Sequence, residues 1–143
     1  GAAAVLVMSD TKAKELGLTP LARIVSSGVS GLNPEIMGLG PIEAIRQALG
    51  RAKMTIDQID LVEINEAFAC QVIGSAKHLG IDLDKQMNVH GGAIALGHPF
   101  GMTGARIMAT LINGLQWEDK TYGVESMCVG GGQGMAMVIE RLS

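Results

Sequence analysis

Short apolar runs alternate with runs of helical period along the whole chain, and that order narrows the fold more than any other feature. Ala2 to Met8 is continuously apolar and reads as a strand buried on both faces. Ser9 is placed to cap a short helix over residues 10–16, which Gly17 stops. Leu21 to Ser27 is the next strand. After a loop rich in Gly, Ser, Asn and Pro, Pro41 opens a helix with Ile42, Ile45 and Leu49 on one face. Ile59 to Ile64 is a further strand, followed by a helix from Asn65 through Leu79 that ends at Gly80. Met87 to His90 reads as a short strand. From Gly104 to about Gln116, Ile107, Met108, Leu111, Ile112 and Leu115 recur at helical spacing. Residues 124–129 and 135–140 are strands whose connection is short enough only for an antiparallel hairpin. Repeated strand–helix units predict a mainly parallel sheet covered by helices, with the last strand reversed.

Function in such a sheet collects where strand ends meet loops, and three stretches fall there. The first is Gly91-Gly92-Ala93-Ile94-Ala95-Leu96-Gly97-His98-Pro99-Phe100-Gly101-Met102-Thr103-Gly104-Ala105-Arg106. Its glycines let other groups approach the backbone on both sides of one imidazole, and Pro99 restricts the histidine backbone to extended conformations. The second is Asn65-Glu66-Ala67-Phe68-Ala69. Taken alone, Asn65 reads as a helix N-cap and Glu66 as a favourable acid in the first turn. The third is Cys128, followed by Val129 and three glycines. A random cysteine is most often a buried core residue, yet a core strand has no need of three successive glycines at its end.

A Cys, a His, an Asn amide and glycine N–H groups suit proton transfer at an acidic C–H and the holding of an oxyanion. The set fits carbonyl chemistry.

Composition closes off other classes. The 143 residues suffice for one domain. A hydrophobic share of 48% with 3% aromatics and nine Met implies small core side chains and close packing of elements. A formal charge of −3 gives no basic field for nucleic acid. No apolar run approaches the roughly 20 residues of a membrane span. The glycine strings lack the Lys-Ser/Thr of a phosphate loop and do not form Gly-x-Gly-x-x-Gly after a strand. Cys70 and Cys128 make no disulfide framework, and with His78, His90 and His98 they show no zinc-ligand spacing. No signal peptide is visible. Opening without methionine on an apolar run suggests a chain whose true beginning lies upstream.

The three stretches resemble, in order and spacing, the signature blocks of the C-terminal half of thiolases: Asn-Glu-Ala-Phe-Ala at 65–69, the Gly-His-Pro block at 91–106, and Cys-Val-Gly-Gly-Gly-Gln-Gly-Met-Ala at 128–136. The resemblance covers the whole chain, 1–143, and lies nearest the acetyl-CoA acetyltransferase branch. It implies a layered α/β fold with a five-stranded mixed, mostly parallel sheet. It also implies the condensation of two acetyl-CoA to acetoacetyl-CoA and CoA, or the reverse thiolysis of 3-ketoacyl-CoA. Coenzyme A thioesters are then substrates, and no cofactor or metal is expected.

By motif, the resemblance implies that Cys128 is the acid/base at the α-carbon, that His98 donates to the thioester oxygen and helps activate the acylated cysteine, and that Asn65 holds a water beside it. Gly130 N–H serves a second oxyanion site, and Ala67, Phe68 and Met37 line the pantetheine channel. The acylated cysteine belongs to an N-terminal half outside this sequence, so the chain alone is expected to be inactive. In the family the intact enzyme is a dimer or tetramer, and a cytoplasmic location is expected, with mitochondrion or peroxisome as alternatives. Cys70 reads as helix packing. Phe100 stands where many relatives carry an aliphatic residue and so bears on acyl-chain preference. A non-catalytic module that binds CoA thioesters or a partner protein is the alternative; it is disfavoured because Cys128, His98 and Asn65 are all retained.

Overall fold

The computed structural model describes all residues 1–143. The helices are α1 (Asp10–Glu15), α2 (Gly40–Ala52), α3 (Ala69–Leu79), α4 (Ala93–Leu96) and α5 (Phe100–Trp117). The strands are β1 (Ala22–Gly31), β2 (Leu61–Ile64), β3 (Tyr122–Val129) and β4 (Gln133–Arg141), with 3-10 turns at Pro34–Leu39 and Ile56–Gln58.

The four strands lie in the order β1-β4-β3-β2. β2 and β3 are parallel, and β4 runs antiparallel to both β3 and β1. Three strands therefore share one direction and the last is reversed, as its short glycine connection demands.

Side chains alternate across a strand, and here the alternation sends neighbours into two different layers. Val62 and Ile64 of β2, Val124 of β3, and Ala136 and Val138 of β4 pack with Ala44, Ile45, Ala48 and Leu49 of α2 and Val72 and Ala76 of α3. Leu61 and Ile139 point the other way, onto Met108, Leu111 and Leu115 of α5. A Cβ on Gly123 would stand 2.7 Å from Leu111 Cδ1, which keeps that position of β3 a glycine. The Val, Ile, Leu and Met side chains of these clusters are worth about 1.5–3 kcal/mol apiece when fully buried, and the alanines less.

The hairpin that follows Cys128 is wedged from below. A Cβ on Gly134 would collide with the backbone of Gly40 at the start of α2, and one on Gly132 with the Leu32 carbonyl. Gly132 also has φ +94°, a region L side chains avoid.

Five of the sequence expectations need correction. Ala2 to Met8 forms no strand: it lies outside the sheet with Leu6 77% exposed, since an apolar run does not by itself bring a segment into a ladder. The sheet accordingly has four strands rather than five. Met87–His90 reduces to a single bridge, Val62 with Met87, and Asn88 sits at φ 45°. The helix expected from Gly104 begins at Phe100, and the one expected from Asn65 begins at Ala69 with Phe68 at its N-cap. Ser9, Gly17, Pro41 and Gly80 punctuate as expected: the Ser9 hydroxyl accepts from Lys12 N at 3.2 Å, and Gly17 and Gly80 take φ +65° and +75°.

Candidate active site

Asn65 leaves β2 at its C-terminal end, where its N–H donates to the Ser126 carbonyl of β3 at 2.9 Å. It is fully buried and caps nothing. The N-cap expected of it is absent because the chain bends at Ala67, whose N–H donates to the Asn65 carbonyl at 3.0 Å, and the helix starts only at Ala69 with Phe68 extended at its N-cap. Glu66, expected as a first-turn acid, instead reaches across to the His98 loop. Its Oε2 accepts from Ile94 N at 2.9 Å and its Oε1 from Asn88 Nδ2 at 2.9 Å. Gly92 is a glycine for this reason, since a Cβ there would occupy the space of the Glu66 carboxylate.

Asn88 completes the clamp. Its Oδ1 accepts from Ile64 N and its Nδ2 donates to Ile64 O, both at 2.9 Å, so one side chain imitates a neighbouring strand along the edge of β2. The left-handed backbone at Asn88 is one that Asn tolerates better than most residues.

This clamp sets His98 against Asn65. Nε2 of the imidazole lies 3.4 Å from Asn65 Nδ2, and Nδ1 lies 2.5 Å from Thr103 Oγ1 in the first turn of α5. The ring is half-buried, and Phe100, 88% exposed, stands beside it with ring centroids 5.1 Å apart. Ile94 and Leu96 of the same loop are also exposed. Thr103 and the clamp pair Glu66 and Asn88 were missed as site-builders by sequence reasoning. The only signal for Thr103 was its spacing after His98, and it would have required starting α5 at the right residue.

Cys128 stands at the C-terminal end of β3, two residues beyond the Ser126 carbonyl that holds Asn65, and pairs in register with Gly134. It is half-buried and free, and burial pushes its thiol above the ordinary range. No hydrogen bond joins it to His98 or Asn65. Gly130 is exposed with open space around its Cα. Met37 is half-buried in the Pro34–Leu39 turn, which meets α3 where a Cβ on Gly38 would lie 2.6 Å from Gln71 Cγ. Ala67 is half-buried and Phe68 is 72% exposed. Cys70, expected to pack, is exposed on the first turn of α3.

Behind the site lies a buried charge cluster that sequence reasoning did not find. Glu63 and Glu125, both on the α5 side of the sheet, flank Arg106, whose Nη1 is 3.7 Å from Glu63 Oε2. Burial raises Glu63 to about 8 against the opposing pull of Arg106, with Glu66 and Glu125 adding to the rise; burial raises Glu125 to about 7 against the same arginine.

The site is open. Two clefts of about 300 and 370 Å³ lie elsewhere, beside Leu49 and His78 and beside Arg23 and Tyr122, and neither touches His98, Asn65 or Cys128. No three His, Cys, Asp or Glu side chains converge to hold a metal ion, and no helix is long and apolar enough to cross a membrane.

With this geometry in place, comparison with solved structures defines the class: the chain has the thiolase fold. It superimposes with a TM-score of 0.90 on the Bacillus anthracis acetyl-CoA acetyltransferase, at 50% identity over 94% of this chain and 34% of that one. The same score relates it to human mitochondrial 3-ketoacyl-CoA thiolase at 48% identity, again over 94% and 34%. Within that class the chain belongs to the thiolase family, its residues 18–141 matching the thiolase C-terminal domain. It is 53% identical to the acetyl-CoA acetyltransferase of Escherichia coli strain K12 over 100% of this chain and 36% of that protein. It is also 53% identical to a 3-ketoacyl-CoA thiolase of Enterobacter sp. strain 638 over 99% and 37%. The chain thus spans about a third of the length of the relatives it matches.

Proposed function

We propose that this chain is the C-terminal catalytic part of an acetyl-CoA C-acetyltransferase. In that role it condenses two acetyl-CoA to acetoacetyl-CoA and CoA, or runs the reverse thiolysis, together with an N-terminal part that carries the acylated cysteine. The observation that carries the reading is the His98–Asn65 contact at the C-terminal end of β2, with Cys128 at the matching end of β3.

The chemistry divides as follows. In thiolysis, Cys128 holds a proton to give to the carbanion that leaves as the C–C bond breaks, and a thiol kept protonated by burial is the form that step needs. In condensation, the same sulfur takes the α-proton of the second acetyl-CoA, and bound substrate has to supply the change of environment that makes the thiolate. His98 and a water held by Asn65 face the thioester oxygen on which negative charge develops. Asn65 Oδ1 is buried and accepts no hydrogen bond within the chain, which leaves it free for that water. Gly130 N–H serves the acyl-enzyme oxyanion. Ala67, Phe68 and Met37 border the pantetheine, the exposed Phe68 ring being the largest apolar surface among them. In the intact enzyme the unit of assembly is a dimer or tetramer.

The test is acetoacetyl-CoA thiolysis by the chain alone, by the chain mixed with a thiolase N-terminal half, and by the same mixture carrying Cys128→Ala. Silence alone, activity on mixing and loss in the variant are expected. Activity of the chain alone that Cys128→Ala abolishes would overturn the reading, because a cysteine here would then be the nucleophile.

A further inference from the structure

A histidine beside a thioester can act in two ways, and which nitrogen carries the hydrogen decides between them. In this chain both ring nitrogens of His98 are addressed. Thr103 is buried, and its Oγ1 lies 3.2 Å from the Pro99 carbonyl four residues earlier, the back-bond that a helical threonine makes with its hydroxyl hydrogen. With that hydrogen committed, Oγ1 turns its lone pairs to Nδ1 at 2.5 Å, so Nδ1 carries the hydrogen and donates. At the other end Asn65 presents Nδ2, which only donates, to Nε2 at 3.4 Å. Both ends demand the same tautomer. The opposite one would pull the Thr103 hydroxyl from Pro99 and set two N–H groups against each other across the Asn65 contact.

We infer that Thr103 is a positioning residue that holds His98 in the Nδ1–H tautomer, so that the resting ring offers an Nε2 lone pair to the reacting groups. Resting on the thiolase reading above, the unprotonated Nε2 is the form that can take the proton of the acylated cysteine while the electron pair of the S–H bond stays on sulfur, and Thr103 acts by setting that form before substrate arrives.

The first measurement is a long-range proton–nitrogen correlation on the ¹⁵N-labelled chain, with His98 assigned by comparison with His98→Gln. Nδ1 is expected in the protonated range and Nε2 in the unprotonated range. Thr103→Ser should keep that pattern, whereas Thr103→Val, equal in shape but without the hydroxyl, should move the ring to the Nε2–H form that free imidazole side chains prefer. A parent ring already in the Nε2–H form, or a Thr103→Val ring that keeps the parent tautomer, overturns the inference. In the enzyme reconstituted with its N-terminal half, Thr103→Val is expected to lower kcat by about 100-fold, the lower end of what general acid–base catalysis contributes, with KM held and Thr103→Ser restoring the rate. Full activity in a Thr103→Val protein whose tautomer has changed also overturns it. If reconstitution gives no thiolysis at all, the functional reading fails while the nitrogen spectra still decide the tautomer.

Discussion

Glu63 and Glu125 stand directly opposite one another in the parallel ladder of β2 and β3, both buried, with Arg106 of α5 as their one cationic neighbour. Burial is the main penalty on both ionised carboxylates, the repulsion of like charges on adjacent strands adds to it at Glu63, and one guanidinium cannot neutralise two. The pair therefore holds a proton that the unfolded chain would release.

A carboxyl whose pKa rises on folding contributes stability that is present below its unfolded value and lost as pH climbs through its folded value. With Glu125 near 7 and Glu63 near 8, unfolding stability should decline as pH rises from about 5 to about 8.5. Glu63→Gln keeps the shape and removes the titration, and Glu125 remains to pair Arg106. Urea melts should show most of the slope gone and a variant more stable than the parent by about 1–2 kcal/mol at pH 8. A slope of the opposite sign would refute the shared proton.

Asn88 tests the edge of β2. Asn88→Ala deletes the two bonds to Ile64 and the one to Glu66 and places Ala at φ 45°, and should cost about 2–4 kcal/mol in a denaturant melt. Asn88→Asp keeps the acceptor for Ile64 N but turns an oxygen toward Ile64 O and Glu66. It should be at least as damaging above the aspartate pKa, although it is the smaller change in shape.

Two glycines, Gly134 of β4 and Gly50 of α2, predict opposite signs. At the meeting of Gly40 with Gly134 there is no room for a Cβ on either residue, and Gly134→Ala should destabilise by about 1–3 kcal/mol through overpacking. Gly50, near the other end of the helix, has open space around it, and Gly50→Ala should stabilise by about 0.5–1 kcal/mol. Thermal melts of the two variants separate a packing role from mere backbone freedom.

The two thiols should separate under alkylation. At pH 7.5 iodoacetamide should modify the exposed Cys70 well before Cys128, which burial keeps protonated, with mass spectrometry of the digested chain reading each site. Cys128 reacting first would mean that its surroundings lower the thiol pKa in the free chain.

Val29 of β1 and Met135 of β4 pair across the ladder on a stretch of sheet that α5 does not reach, and both are about half exposed. The chain is expected to self-associate through such apolar surface. Light scattering across the micromolar range should show mass rising with concentration, and Val29→Lys should lower it; a constant monomer mass would contradict this.

The order of elements was legible in the sequence because period and punctuation are local: Gly80 ends α3 and Pro41 opens α2 for reasons contained in a few residues. What was not legible depends on partners far along the chain. Residues 2–8 are apolar enough for a buried strand, but apolarity does not supply a neighbouring ladder. Asn65 carries the sequence mark of a helix cap, yet it is committed to Ser126 and His98, and the helix waits until Ala69. The apolar period is visible only past Gly104, while α5 reaches back to Phe100, with the Gly104 Cβ direction aimed at Met127. His98, Asn65 and Cys128 stood out by residue type and spacing. Thr103, Glu66 and Asn88, which hold the His98 loop, and the carboxylate pair behind it became visible only once register and helix starts were known.

The imitation strand formed by Asn88 has one more effect. Together with the backbone bonds that join Val62 to Gln86 and Asn88, it closes the β2 border of the sheet, leaving the β1 border open. A filament grown by strand addition needs two open borders on every copy so that each can pass the pairing on. This sheet has one, so edge-to-edge pairing between copies ends at two and cannot propagate into a fibre.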